Sequence, residues 1–391
     1  MIIKPKIRGF ICTTAHPKGC EQAVKEQIAY VKNNTTVKKG PKNVLVIGAS
    51  TGYGLASRIV AAFGSDAKTI GVSYEKEADA KRTASPGWYN TVAFEKFAHT
   101  EGLYAKSING DAFSDGIKEE VGDLIEKDLG QVDLVVYSLA SPRRIHPKTG
   151  EVFNSTLKPI GQAYTNKTVD PLRGIVKDIT LEPASEDDIA KTIEVMGGED
   201  WEMWVDYLKE RGLLAENMMT MAYSYIGPSL THPIYKEGTI GMAKNHLNDT
   251  ALSLTNHLKD LNGLAFVSVN KALVTQASSA IPVVPLYISL LYKIMKEKGT
   301  HEGCIEQMYR LFEDKMYVDG QKPALDGNRQ IRLDDFEMSQ DVQDQVAALW
   351  GQVTTENLVE IADTDGYKED FYRLFGFSFD GVNYGEDIAL V

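Results

Sequence analysis

The chain has 391 residues, enough for two or three domains of ordinary size or for one enlarged α/β unit. Apolar residues make up 43% and charged residues 25%, which excludes a disordered, collagenous or coiled-coil chain. Lys and Arg number 42 against 54 Asp and Glu, so the formal charge of −12 has the wrong sign for a general nucleic-acid binder.

The first forty residues form an extension, with a short strand or hairpin near the start and a helix over about 20–33. From Pro41 the pattern changes. VLVIG (44–48) is an apolar run ending in glycine, the mark of a buried strand in a parallel sheet. In the following segment Leu55, Ile59, Val60 and Phe63 recur at helical spacing, with Gly64 as a stop. KTIGVSY (68–74), LYAKSI (103–108) and DLVVYSLA (133–140) read as further strands, with helices over about 88–101 and 114–129 between them. This alternation predicts an α/β fold with a doubly wound parallel sheet. Residues 141–216 interrupt it as a polar insertion with one helix over about 185–211. NMMTMAYSYIG (217–227) resumes as a strand. A helix over about 239–260, a strand at 264–270 and a very apolar helix over about 280–297 follow. That last helix either lines an apolar pocket or simply packs the core. Residues 301–391 form a C-terminal extension of helices and acidic loops. Cys12, Cys20 and Cys304 are too few for a disulfide framework and suit a reducing compartment. The most apolar stretch, 281–295, is too short to span a membrane and contains Pro282, Pro285 and Lys293, and no signal-peptide core opens the chain. A cytoplasmic protein is expected.

Gly48-Ala49-Ser50-Thr51-Gly52-Tyr53-Gly54 lies between a strand and a helix. Glycines there let backbone approach a pyrophosphate, and the helix N-terminus presents free N–H groups to it. Glu75 ends the second strand, 21 positions after Gly54, where a carboxylate accepts from an adenosine ribose diol and repels a 2′-phosphate. That favours NADH over NADPH, although Lys76 follows directly and can receive a phosphate. Asp111 and Ala112 follow the third strand, in position either to meet an adenine or to make an ordinary turn. Ser138, Leu139 and Ala140 end the fourth, where small residues let the chain pass close to a cofactor or merely pack.

Tyr235 and Lys244 are nine residues apart. In short-chain reductases a tyrosine polarises the substrate carbonyl, and a lysine lowers the phenol's pKa and holds the nicotinamide ribose. The usual spacing is four, on one helix face. Nine steps are about two and a half turns, so a shared site requires Tyr235 to precede the regular helix. Gly238 and a Thr239 N-cap permit this, with Lys244 in the second turn. Tyr225, at the end of the preceding strand, points to substrate contact or to plain packing.

At these residues the chain resembles the FabV-type enoyl reductases and their trans-2-enoyl-CoA reductase relatives. The resemblance runs through MIIKPKIRGFIC, GASTGYGLASRI, PGWYN, GDAFSD, VYSLASPRR, VMGGEDW, AYSYIGP, YKEGTIGMAK and FVSVNKALVTQASSAIPVVPLY, so it covers nearly the whole chain. It implies a Rossmann-like, short-chain-reductase-like fold carried by a single enlarged domain and a monomer. Tyr235 becomes the proton donor or enolate stabiliser, Lys244 a cofactor-binding residue and Tyr225 a substrate-site residue. Gly48 to Tyr53 (Ala49, Ser50, Thr51 and Gly52 included), Tyr74-Glu75, Asp111-Ala112, Leu139-Ala140 and Leu273-Val274-Thr275 match the NAD-contacting segments. The implied reaction reduces a trans-2-enoyl thioester, on acyl carrier protein or CoA, to the saturated thioester. Hydride from NADH goes to C3, the thioester oxygen gains enolate charge, and C2 is protonated from Tyr235 or from solvent. A carbonyl/alcohol oxidoreductase would carry the four-residue spacing, which is absent, and a catalytically inactive NAD-binding regulator would not need Tyr235 and Lys244 together. Because both ligands are anionic, Arg143, Arg144 and Lys148 are candidates either for local positive charge or for a solvated loop.

Overall fold

The computed structural model describes residues 1–9, 11–36, 39–139, 141–318 and 322–389. A short antiparallel pair, β1 (Ile7–Arg8) and β2 (Ile11–Cys12), opens the chain, and α1 (Pro17–Asn34) follows. Pro17 stands at its first turn, and Gly19 N–H donates to His16 Nδ1 at 3.2 Å, so the start is both preset and capped. The alternating section is β3 (Asn43–Ile47), α2 (Gly52–Ile59) continuing as a π turn over Val60–Gly64, β4 (Lys68–Ser73), α3 (Pro86–Thr100), β5 (Ala105–Asn109), α4 (Asp115–Asp128) and β6 (Val132–Tyr137). Two antiparallel hairpins come next, β7 (Arg143–Ile145) with β8 (Val152–Asn154) and β9 (Tyr164–Asp170) with β10 (Ile175–Leu181). Then come α5 (Glu186–Met196), α6 (Glu199–Glu210), β11 (Leu214–Ser224), α7 (Thr239–His257), β12 (Leu264–Val269) and α8 (Val284–Glu297). The final stretch holds α9 (Cys304–Arg310), β13 (Gln330–Arg332), α10 (Gln340–Gln352), α11 (Leu358–Ile361) and α12 (Thr364–Arg373).

Seven strands form one sheet in the order β13-β12-β11-β6-β3-β4-β5, with every neighbouring pair parallel. The chain winds outward from β3 to β5, then returns to β6 on the other side of β3. The carboxyl ends of β3 and β6 therefore flank the switch point, where open α/β sheets place their ligand crevice. One face is covered by Val24 and Ile28 of α1, Leu55 and Ile59 of α2, Phe94 of α3 and Met308 of α9. The other is covered by Val121 of α4, Trp201 and Trp204 of α6, and Leu247 and Leu254 of α7. A separate apolar cluster gathers α8, α10 and α12 around Leu286, Leu290, Val346 and Phe371. This is the Rossmann-like doubly wound sheet expected from the sequence.

Several elements differ from the sequence reading. The single helix over 185–211 is two, because the main chain turns at Gly197-Gly198. A Cβ on Gly198 would stand 2.1 Å from Thr250 Oγ1, so glycine is what lets this corner seat against α7. The strand placed at 217–227 ends at Ser224, which leaves Tyr225 just beyond it. Gly238, not Thr239, caps α7. The Thr239 hydroxyl instead donates to Thr156 C=O at 2.6 Å and ties the helix to the insertion. The helix over 280–297 begins at Val284. The β9–β10 hairpin and β13 had no sequence counterpart. Among the described residues no helix is long and apolar enough to cross a membrane.

Candidate active site

The glycine turn joins β3 to α2 at the switch point. Gly48 has φ +86°, and a Cβ there would stand 2.0 Å from Ser138 C=O. A Cβ on Gly54 would stand 1.9 Å from Gly48 C=O. These two glycines let three backbone segments nest. Gly52 has φ +55°, and a Cβ there would meet nothing within 4 Å, so the turn opens outward at that point. Thr51 occupies the N-cap of α2 but makes no side-chain cap bond, which leaves the first N–H groups of the helix available. A bare turn with an uncapped helix start fits a pyrophosphate.

Glu75 lies beside this turn. One carboxylate oxygen accepts from Ser50 Oγ at 2.6 Å and the other from Ser85 Oγ. Gly87 makes room for it, since a Cβ there would sit 2.0 Å from Glu75 Oε1. Glu75, two residues beyond the end of β4, therefore braces the turn. Tyr74 is 79% exposed, an open aromatic face at the rim. Asp111 accepts from Phe113 N–H at 3.0 Å, closing a tight turn. That turn is held from below, because Ala112 C=O accepts from Trp204 Nε1 at 3.1 Å and from Lys118 Nζ at 3.2 Å. Lys118 in turn pairs with the buried Asp200 at 2.8 Å. Leu139 packs near Gly48; Ala140 falls outside the described residues. Leu273 and Val274 are buried beyond β12, and Thr275 caps a short turn through Ser278.

The second part of the site hangs from the carboxyl end of β11. Tyr53 of the glycine turn and Tyr223 have ring centroids 5.7 Å apart, and Tyr223 Oη shares a short hydrogen bond with Ser57 Oγ. Lys244, six residues into α7, donates from Nζ to Tyr223 C=O at 2.9 Å. Burial pulls its ammonium down to about 8. Tyr235 lies in the loop before α7, its N–H on Thr231 C=O at 3.0 Å, so its side chain is not bound to helical phase. A Cβ on Gly241 would stand 1.9 Å from Lys236 C=O, so the loop folds tightly onto the helix start. The Tyr235 ring meets Tyr225 edge to face, centroids 4.9 Å apart at 84°. Among the described residues Tyr235 Oη has no hydrogen-bond partner, and burial pushes its phenol up to about 12. It keeps its proton at neutral pH and presents it unpaired. Tyr225 differs, for its hydroxyl donates to Glu337 Oε1 at 3.0 Å.

Thus Tyr53, Lys244, Tyr225 and Tyr235 gather at one strand end beside the glycine turn. Arg144 does not join them. It is buried and gives its guanidinium to Glu199 at 2.7 Å and Glu194 C=O at 2.6 Å, which removes it from any ligand phosphate. Arg143 and Lys148 are exposed. Tyr287, of the apolar helix expected either to line a pocket or to pack the core, borders the site, as do Glu337 and Lys271, which were not singled out from the sequence. Glu337 stands in an acidic run, Asp334-Asp335-Phe336-Glu337, that resembles any solvated loop.

A family model described as the trans-2-enoyl-CoA reductase catalytic region matches residues 82–317, and one described as the NAD(P)H binding domain of trans-2-enoyl-CoA reductase matches residues 2–80. The chain belongs to the trans-2-enoyl-CoA reductase family. It is 63% identical over 387 residues to an NADH-dependent enoyl-(acyl-carrier-protein) reductase of Flavobacterium johnsoniae, covering 99% of this chain and 97% of that one. It is 58% identical over 390 residues to an NADH-dependent trans-2-enoyl-CoA reductase of Ruminiclostridium cellulolyticum, covering 100% and 98%. The crystal structure of the Treponema denticola trans-2-enoyl-CoA reductase in complex with NAD superposes with a TM-score of 0.96 at 50% identity, covering 99% and 98%. A third model, described as an enoyl reductase FAD binding domain, matches residues 325–388. The residues of that segment do not fit a flavin cradle. No glycine lies between Gly327 and Gly351, so β13 has no phosphate turn after it, and Val342, Val346, Leu358 and Phe371 are buried in the cluster around α8.

Proposed function

We propose that this protein reduces the trans-2 double bond of enoyl thioesters, carried on acyl carrier protein or CoA, using NADH. The observation that carries the reading is the Tyr235 hydroxyl, protonated and unpartnered, at the same strand end as the Lys244 ammonium and next to an uncapped glycine turn. When bound, NADH supplies the hydride that adds to C3. The α2 N-terminus and the Gly48–Tyr53 backbone hold the pyrophosphate, and Glu75 receives the adenosine ribose, with Tyr74, Asp111 and Ala112 bordering the adenine. Lys244 holds the nicotinamide ribose, while Leu139 and Leu273-Val274-Thr275 border the nicotinamide. Tyr235 donates its hydrogen bond to the thioester oxygen as enolate charge builds there, and Tyr225 contacts the substrate beside it. The apolar α8 lines the acyl pocket. The chain works as one enlarged unit, a cytoplasmic monomer catalysing the last reductive step of fatty acid elongation.

The experiment is NADH oxidation with crotonyl-CoA. Wild type is expected to turn over, and Tyr235→Phe to lose about 10²–10⁴-fold in kcat with little change in melting temperature. A Tyr235→Phe enzyme as fast as wild type would remove Tyr235 from the chemistry. A wild type inert with every enoyl thioester offered would remove the activity itself.

A further inference from the structure

The C-terminal extension sends one carboxylate into the site. Glu337 lies between β13 and α10 and is wholly buried. Its Oε1 accepts from Tyr225 Oη at 3.0 Å and from Tyr287 Oη at 2.7 Å, and its Oε2 accepts from Ala272 N–H at 2.7 Å. The three donors come from the chain after β11, from α8 and from the chain after β12, the segments that border the proposed substrate and nicotinamide positions. The Ala272 peptide is held at both ends, for its C=O accepts from the buried Lys271 Nζ at 3.0 Å. Gln343 of α10 closes the arrangement, donating to Tyr287 Oη at 3.1 Å and to Glu337 C=O at 2.7 Å. A buried carboxylate with this many donors is costly to disturb, because removing one member leaves the rest unpaired in a dry interior.

A phenol has one proton to give. Tyr225 donates its hydrogen bond to Glu337, whereas Tyr235, packed edge to face against it, has its own hydroxyl proton free. We propose that Glu337 is a positioning residue for the reduction: by accepting the Tyr225 hydrogen bond it sets the orientation of that ring and leaves Tyr235 as the one phenol of the pair that donates to the substrate oxygen. The proposal rests on the reductase reading and gives the C-terminal extension a role in the site that needs no flavin.

In a Glu337→Gln protein the amide oxygen still accepts from Ala272 N–H, but the amide nitrogen now faces Tyr225 and Tyr287, so both phenols must reverse their hydrogen bonds. The test is a double-mutant cycle of Glu337→Gln with Tyr225→Phe, reading kcat and KM for crotonyl-CoA and NADH. Glu337→Gln is expected to lower kcat at least tenfold with the NADH KM within about threefold of wild type. In the Tyr225→Phe background the same change is expected to cost less than about threefold, because the bond it disrupts is already gone. Glu337→Asp, which keeps the charge but draws the carboxylate back from both phenols, is read the same way if the glutamine variant does not fold. Equal losses in both backgrounds, or a folded Glu337 variant as fast as wild type, overturn the proposal. A wild type that does not oxidise NADH with any enoyl thioester overturns the reductase reading instead.

Discussion

Lys244→Met separates the stability of the site from its chemistry. Burial takes the Lys244 ammonium from the ordinary lysine value of 10.5 to about 8. Between those values the unfolded chain holds a proton that the folded chain has released, so stability rises with pH across that window. Below it the folded protein carries the full cost of a desolvated cation. The shift corresponds to about 3 kcal/mol at neutral pH, and the partial exposure of the side chain reduces this to about 2 kcal/mol. Methionine occupies the space without the charge but forfeits the hydrogen bond to Tyr223 C=O, at a cost of about 1 kcal/mol. The cofactor-free variant is therefore expected to be about 1 kcal/mol more stable than wild type at neutral pH. Above about pH 10 the advantage is expected to vanish or reverse, since the folded lysine is then already neutral and the unfolded one is losing its proton as well. Urea denaturation at the two pH values measures the difference directly. In the same variant kcat/KM with NADH and crotonyl-CoA is expected to fall at least about 100-fold, and wild-type kcat/KM to decline as pH rises through about 8. A variant less stable than wild type at neutral pH, or a stability gap that ignores pH, refutes the desolvation argument.

Gly54→Ala places a Cβ 1.9 Å from Gly48 C=O, so the turn and the start of α2 must separate. Such overpacking costs about 1–3 kcal/mol of stability, and NADH affinity, read by fluorescence titration, is expected to drop at least tenfold; unchanged affinity would mean that the turn does not hold the dinucleotide. Glu75→Ala removes the partner of Ser50 and Ser85 as well as the ribose acceptor. The ratio of kcat/KM for NADH over NADPH is expected to shrink, mainly by a slower NADH reaction. Equal wild-type rates with the two cofactors would sink the assignment of Glu75 as a specificity residue.

What was legible in advance follows from local physics. β3 to β6 are apolar runs broken by glycines and caps, and their alternation with helices is visible without any tertiary information. The placement of Tyr235 ahead of α7 was also legible, because nine residues cannot bring two side chains to one helix face and Gly238 offers a break. The boundaries that moved, at Tyr225 and Thr239, lie where a strand end or a cap depends on what packs against it. The β9–β10 hairpin was hidden because its polar stretches, Tyr164–Asp170 and Ile175–Leu181, are buried mainly where they meet α8 and the tail. Val283 N–H on Thr168 Oγ1 and Lys167 Nζ on Trp350 C=O show the contacts that order it.

The sequence by itself determined the parallel sheet, the glycine turn at its switch point, the acid after the second strand and the break that sets Tyr235 ahead of the helix carrying Lys244, since each is written in residue types at short spacing. Only the tertiary structure decided which charges serve the site. Arg144, next to Arg143 in an outwardly basic loop, turns inward to Glu199. Glu337, in an outwardly acidic tail, turns inward to Tyr225, more than a hundred residues away in the chain. Burial and pairing of charge depend on partners brought together by folding, and no local pattern records them.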